Sequence, residues 1–184
     1  MIKMRVLIYL TVILAVSFTC EAQKKFSLEK GAINFASKAQ LELIKASSDK
    51  VQGLIDPVSY QFAFAVDVSS FQGFNSELQR EHFNEKYMES EKYPKAKFSG
   101  KIIEPIDFTA DNTYEVRAKG ELEIHGQRQT RIIKSKIIVK NGQLRIESFF
   151  TVPLADHNIS IPNIVSQKIA TEIEVEFNAT MKLQ

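Results

Sequence analysis

From Tyr114 to His125 the chain alternates without a slip. Tyr114, Val116, Ala118, Gly120, Leu122 and Ile124 fall on one face, with Glu115, Arg117, Lys119, Glu121, Glu123 and His125 on the other. A period of two belongs to a strand with one face in a core and one in water, because successive side chains leave the pleat on opposite sides. The C-terminal stretch repeats it: Ile169, Thr171, Ile173, Val175, Phe177, Ala179, Met181 and Leu183 share a face. Shorter sets follow the same rule. They are Tyr60, Phe62, Phe64, Val66 and Val68; Ala96, Phe98, Gly100 and Ile102; Ile133, Ile137 and Val139; and Leu144, Ile146, Phe150 and Val152. Near the N-terminus, Ile33 with Phe35 and Leu41 with Leu43 suggest two further strands.

His125-Gly126 and Asn141-Gly142 mark turns, the second a strong two-residue hairpin signal. One segment breaks the pattern. Ser76 to about Ser90 reads as a helix opened by the capping box Ser76-x-x-Gln79, with Leu78, His82, Phe83 and Tyr87 as its apolar stripe. Pro94 ends it, since proline cannot continue a helix and pushes Tyr93 toward extended geometry. Roughly seven to nine long antiparallel strands plus one helix favour a closed or nearly closed barrel over a flat sandwich. The fold class is therefore all-β with one helix.

The first residues stand apart. A basic start, "MIKMR", precedes the apolar run Val6 to Phe18, and "TCEA" offers small residues for cleavage after Ala22. That is a secretory signal layout, and the run is short for a bilayer span. Residues 1–22 are expected to be a signal peptide and 23–184 a single exported domain, with the periplasm as destination. Cys20 offers lipoprotein attachment as a second option, although Ser17-Phe18-Thr19 lacks the residues usual before such a cysteine. Cleavage after Ala22 would remove the only Cys, so the domain can hold no internal disulfide.

A net charge of +2, with Lys and Arg interleaved with Glu, excludes the concentrated basic face of a nucleic-acid binder. Thirteen Phe and no Trp make the aromatic content almost wholly apolar, destined for a core or an oily ligand. Catalytic signatures are missing: there is no G-x-S-x-G elbow, no H-E-x-x-H pair and no glycine-rich phosphate loop. Of the three His residues, His82 reads as a packing or rim residue and His125 as solvent-exposed. His157 follows Asp156, yet no third metal ligand is visible. The stretch Asp107 to Asn112 lacks calcium-loop spacing and reads as a polar turn. No enzyme activity, metal or cofactor is expected.

Three pieces in order then carry a family resemblance. "FAFAVDVSSF" is an apolar strand ending in Ser-Phe. "ELQREHFNEKYMESEKYPKAKFSG" supplies a helix, Tyr93-Pro94 and a Phe-Ser-Gly strand. "YEVRAKGELEIHG" carries Gly120, Leu122, Ile124 and Gly126 in a Gly-x-Leu-x-Ile-x-Gly hairpin. From about Phe62 to Lys140 the chain resembles the YceI-like family of exported domains associated with polyisoprenoid and other lipid binding. The resemblance implies an extended antiparallel lipocalin-like β-barrel of roughly eight strands, wide enough for one ligand. It departs late in the chain, where Leu154-Ala155-Asp156-His157-Asn158 keeps only the Asp of the family's Arg-x-Asp-Phe-Gly.

The expected function is a non-enzymatic carrier or sequestering protein for a long-chain apolar lipid: an isoprenoid, an isoprenoid quinone or a fatty acid. Its interior would be lined from the inward sets by Phe62 and Phe64, Phe98 and Ile102, Val116 and Leu122, Ile133 and Ile137, Ile146 and Phe150, and Ile173 and Phe177. The alternative is a barrel filled by its own Phe rings, without internal ligand, acting as an envelope stress or interaction module. A homodimer is compatible with either.

Overall fold

The computed structural model describes residues 24–184; the leader read from residues 1–22, with Cys20, lies outside them. The strands are β1 (Phe26–Lys38), β2 (Leu43–Ser48), β3 (Val51–Ile55), β4 (Gln61–Asp67), β5 (Lys95–Ile102), β6 (Asn112–Ile124), β7 (Gln127–Lys140), β8 (Gln143–Pro153) and β9 (Glu172–Leu183). Each is antiparallel to its neighbours. β2 and β3 both pair with the same edge of β1, the first along Ile33 to Lys38 and the second at Phe26 and Ser27. They are two halves of one long strand broken at Asp49-Lys50, so the nine segments form eight staves. The pairing of β1 with β9 closes the ring.

Closure is what the alternation required. Every strand has one apolar face, and a ring buries all of these faces in one interior while leaving almost no free edge. The strands meet in long tight hairpins. At Asn141-Gly142 and His125-Gly126 both residues have positive φ, 51° and 72° in the first and 50° and 69° in the second. Those mirror-image turns match the right-handed twist of the paired strands. The register β6–β7, from Asn112↔Val139 to Ile124↔Gln127, sets Val116, Ala118 and Leu122 inward beside Ile133 and Ile137.

The hoop is incomplete at one place. β3 pairs with β4, but β2 pulls away from it, and a single bridge between Ser47 and Gln72 spans the gap through two 2.8 Å hydrogen bonds. Residues 68–94 cross the barrel end there. They contain the helix α1 (Glu77–His82), whose first turn is capped by Ser76 Oγ accepting from the Gln79 amide at 3.2 Å. The reciprocal arm of the box differs from the sequence expectation, because Gln79 Oε1 accepts from the amide of Asn75 and not of Ser76.

The helix is also shorter than expected. After His82 it widens into a π-helical turn, Phe83–Tyr87, in which the Met88 amide reaches Phe83 O. The cause is local: Asn84 Nδ2 takes the Arg80 carbonyl at 3.0 Å, the acceptor that the Asn84 amide would use in an α-helix. Another correction concerns β2. Leu41 and Leu43 are exposed, and Ile44 and Ala46 turn inward, one residue out of phase with the sequence reading. β9 likewise starts at Glu172, leaving Ile169 and Thr171 in the preceding loop.

Tyr93 explains the Tyr-Pro junction. Its ring lies over the β6–β7 hairpin, so close that a Cβ on Gly126 would sit 2.4 Å from Tyr93 Cε1. It meets His125 edge-on at 4.8 Å. Pro94 O in turn accepts from the Val68 amide, tying the two ends of the crossing segment together.

Candidate functional site

The barrel is filled at one end and hollow at the other. At the filled end Phe26, Leu144, Met181 and Val139 are buried. Phe108 covers them from the turn after β5, its ring 5.4 Å from Phe26 and 5.9 Å from Tyr60. Above this floor opens an apolar cavity of about 430 Å³. All twelve interior residues named from the alternation stand on its wall. The strand register explains why: Phe62 and Phe64 project from β4, Phe98 and Ile102 from β5, Val116 and Leu122 from β6. Ile133 and Ile137 come from β7, Ile146 and Phe150 from β8, and Ile173 and Phe177 from β9.

The rings do not fill the lumen, because they pack on one another along the wall. Phe62 contacts Phe98 at 4.9 Å and Phe64 at 6.1 Å, and Phe64 meets Phe177 edge-on at 5.1 Å. A second aromatic group lines the other end, beside the opening. Phe71, Phe74 and Phe83, all from the crossing segment, gather around Phe35 of β1, which stacks on Phe83 at 5.5 Å. Sequence reasoning did not assign these three to the site. Phe71 and Phe74 lie between β4 and α1, where neither a period of two nor a period of 3.6 applies.

Polar groups on the wall are few, and most belong to the helix end. Gln79 Nε2 donates to Glu42 Oε1 at 2.5 Å, His82 Nε2 is 3.0 Å from Lys86 Nζ, and Lys168 lies on the loop before β9. Ser37 Oγ accepts from the Ala170 amide, fixing that loop to β1. Deeper in, Ser148 Oγ donates to Ser135 Oγ at 2.7 Å.

The other His residues serve the frame of this opening. His125 is not solvent-exposed as its alternation suggested; only 13% of its side chain is accessible. The crossing segment and the loop after β8 cover that face: His125 Nε2 is 2.6 Å from Glu89 Oε2, and Nδ1 is 3.1 Å from His157 O. His157 is fully buried, and burial pushes its pKa below the ordinary value. Its Nδ1 donates to Gln127 O, leaving Nε2 without a hydrogen-bond partner among the described residues. The divergent stretch Leu154 to Asn158 is thus still pinned to the barrel, helped by Asp156 with Arg131 at 3.5 Å and by Arg131 on Thr151 O. Asp107 forms the expected polar turn, accepting from the amide and hydroxyl of Thr109. Among the described residues, no group of three or more His, Cys, Asp or Glu side chains is placed to hold a metal ion.

This barrel matches a known family model. Residues 15–181 fit the YceI-like domain. The chain belongs to the YceI-like family. Among solved structures, a polyisoprenoid binding domain from Saccharophagus degradans, implicated in plant cell wall breakdown, superposes with a TM-score of 0.72 at 15% identity, covering 86% of this chain and 98% of that one. Burkholderia cenocepacia BcnA superposes with a TM-score of 0.66 at 18% identity, covering 82% and 95%. At such identities the likeness establishes a shared YceI-like fold. Among curated proteins no sequence matches the chain.

Proposed function

We propose that this YceI-like protein carries or sequesters a long-chain apolar lipid inside its barrel, after export to the periplasm under the leader at residues 1–22. The observation that carries the reading is the apolar cavity, closed by a packed floor and ringed by hydrocarbon side chains. Its size decides what fits. At roughly 30 Å³ for a methylene, the share a water molecule takes in the liquid, about fourteen carbons can be enclosed. Burying them gains on the order of 0.8 kcal/mol each, about 11 kcal/mol together. Association costs on the order of 4–15 kcal/mol, so dispersion and desolvation exceed the cost over most of that range without a charged anchor. A fatty chain would be held almost whole, and a polyisoprenoid would leave its remaining length beyond the opening. The description of the Saccharophagus relative as polyisoprenoid binding supports the second class of cargo. A barrel filled by its own Phe rings is the weaker reading, because those rings lie along the wall.

The test is native mass spectrometry of protein purified from its own host, followed by lipid extraction. A bound mass that extracts as an isoprenoid, isoprenoid quinone or fatty acid is expected. Repeated recovery of empty protein that also refuses these lipids in vitro would overturn the proposal.

A further inference from the structure

The Ser135–Ser148 pair is out of keeping with its surroundings. The two residues face each other across β7 and β8, on the cavity wall, each more than nine-tenths buried. The next inward pair toward the floor is Ile137 opposite Ile146, and Ser135's partner on β6 is Val116. A Val or Ile at either position would suit a strand and an oily wall better than a hydroxyl. The pair carries two O–H hydrogens. One is used between the two oxygens, 2.7 Å apart. The other has no acceptor among the described residues, and both serines stand on the cavity wall.

We propose that this hydroxyl pair is a hydrogen-bonding anchor for an uncharged oxygen of the bound lipid, a carbonyl or a hydroxyl, so that the cargo enters with that polar end first. The inference rests on the carrier reading given above and narrows its substrate class. A plain hydrocarbon end would leave the spare donor unpaired next to alkane. A carboxylate or phosphate end would be buried without a counter-charge, because the basic side chains on the wall, His82, Lys97 and Lys168, come from α1, the start of β5 and the loop before β9, all at the opening. A neutral oxygen satisfies the donor and requires no charge to be desolvated.

Two probes test this with lipid-stripped protein: a methyl ketone of about fourteen carbons, sized to the cavity, and the alkene in which a methylene replaces its oxygen. Because the ketone loses more hydration than the alkene, the informative quantity is the ratio of their affinities. That ratio should fall about fivefold in the Ser135→Ala, Ser148→Ala double variant, the equivalent of one net hydrogen bond. In the unaltered protein, the infrared carbonyl band of the bound ketone should lie below its position in alkane solvent, and return to that position in the variant. A band already at the alkane position in the unaltered protein overturns the proposal without recourse to any variant, as does an unchanged ratio when both probes bind. If neither probe binds the unaltered protein, the carrier reading itself fails and this inference falls with it.

Discussion

Replacing Ala118 by Leu puts a number on the cavity. Ala118 is buried on β6 between Ile102 of β5 and Ile133 of β7, and its methyl group faces the lumen. Leu adds three carbons, about 90 Å³ at roughly 30 Å³ each, or close to a fifth of the 430 Å³ available. Displacing about three methylenes of cargo should cost about 2.4 kcal/mol, a loss of affinity of roughly 60-fold for a chain that fills the cavity. A ligand shorter by three carbons should bind both proteins alike. The assay is a titration across a series of long-chain ketones or alcohols. Affinity should rise about fourfold per carbon, level off near fourteen carbons in the unaltered protein, and level off about three carbons earlier in Ala118→Leu. Thermal unfolding supplies the control, since forcing the same atoms into a packed core would cost about 1–3 kcal/mol. A plateau that does not move refutes the geometry. A variant that loses stability by that amount shows that the space is not there.

The hairpins make a paired prediction. Gly126→Ala must adopt a positive φ and also displace the Tyr93 ring, whereas Gly142→Ala meets nothing within 4 Å and suffers only the backbone strain. The second should cost about 1 kcal/mol and the first more, by about 1–2 kcal/mol, read as urea midpoints at constant slope. Stability should also fall in acid through His157. Its folded pKa lies below the ordinary value near 6.5, so the unfolded chain binds the extra proton more readily. The contribution of the neutral ring is present above about pH 6.5 and is lost as the pH falls below it. His157→Gln should flatten that part of the profile of Tm against pH; an unchanged slope would mean that another group is responsible.

How much was legible follows from which rule governed each residue. Where two-residue alternation ran unbroken, as along β6, side-chain direction was fixed by covalent geometry, and the wall residues could be named individually. Leu41 and Leu43 misled because a pair of apolar residues cannot set a phase by itself: the exposed Leu–Leu set and the inward Ile44–Ala46 set look equally strand-like. The helix was visible from its cap, but its length depended on one side-chain amide, that of Asn84, competing for a backbone carbonyl. Phe71, Phe74 and Phe83 converge on Phe35 only through the path of the crossing segment, which no local period encodes. His125 followed the alternation and still ended up covered, because Glu89 and the loop after β8 come from far along the chain. Ser135 and Ser148 read as gaps in apolar sets; their meaning depends on strand register, which set them opposite each other.

The closed ring of eight staves has a consequence for selection among ligands. Girth in such a barrel is set by the number of strands and their spacing of about 4.8 Å, held by a near-continuous belt of backbone hydrogen bonds. Everywhere except the gap between β2 and β4, swelling to admit a bulkier molecule would mean breaking ladder bonds along a whole seam. A floor of packed rings likewise stops a long molecule from threading through. The protein therefore behaves as a gauge with a fixed bore and a fixed stop: slender chains of any length can be seated, and whatever exceeds the depth is left standing out of the top.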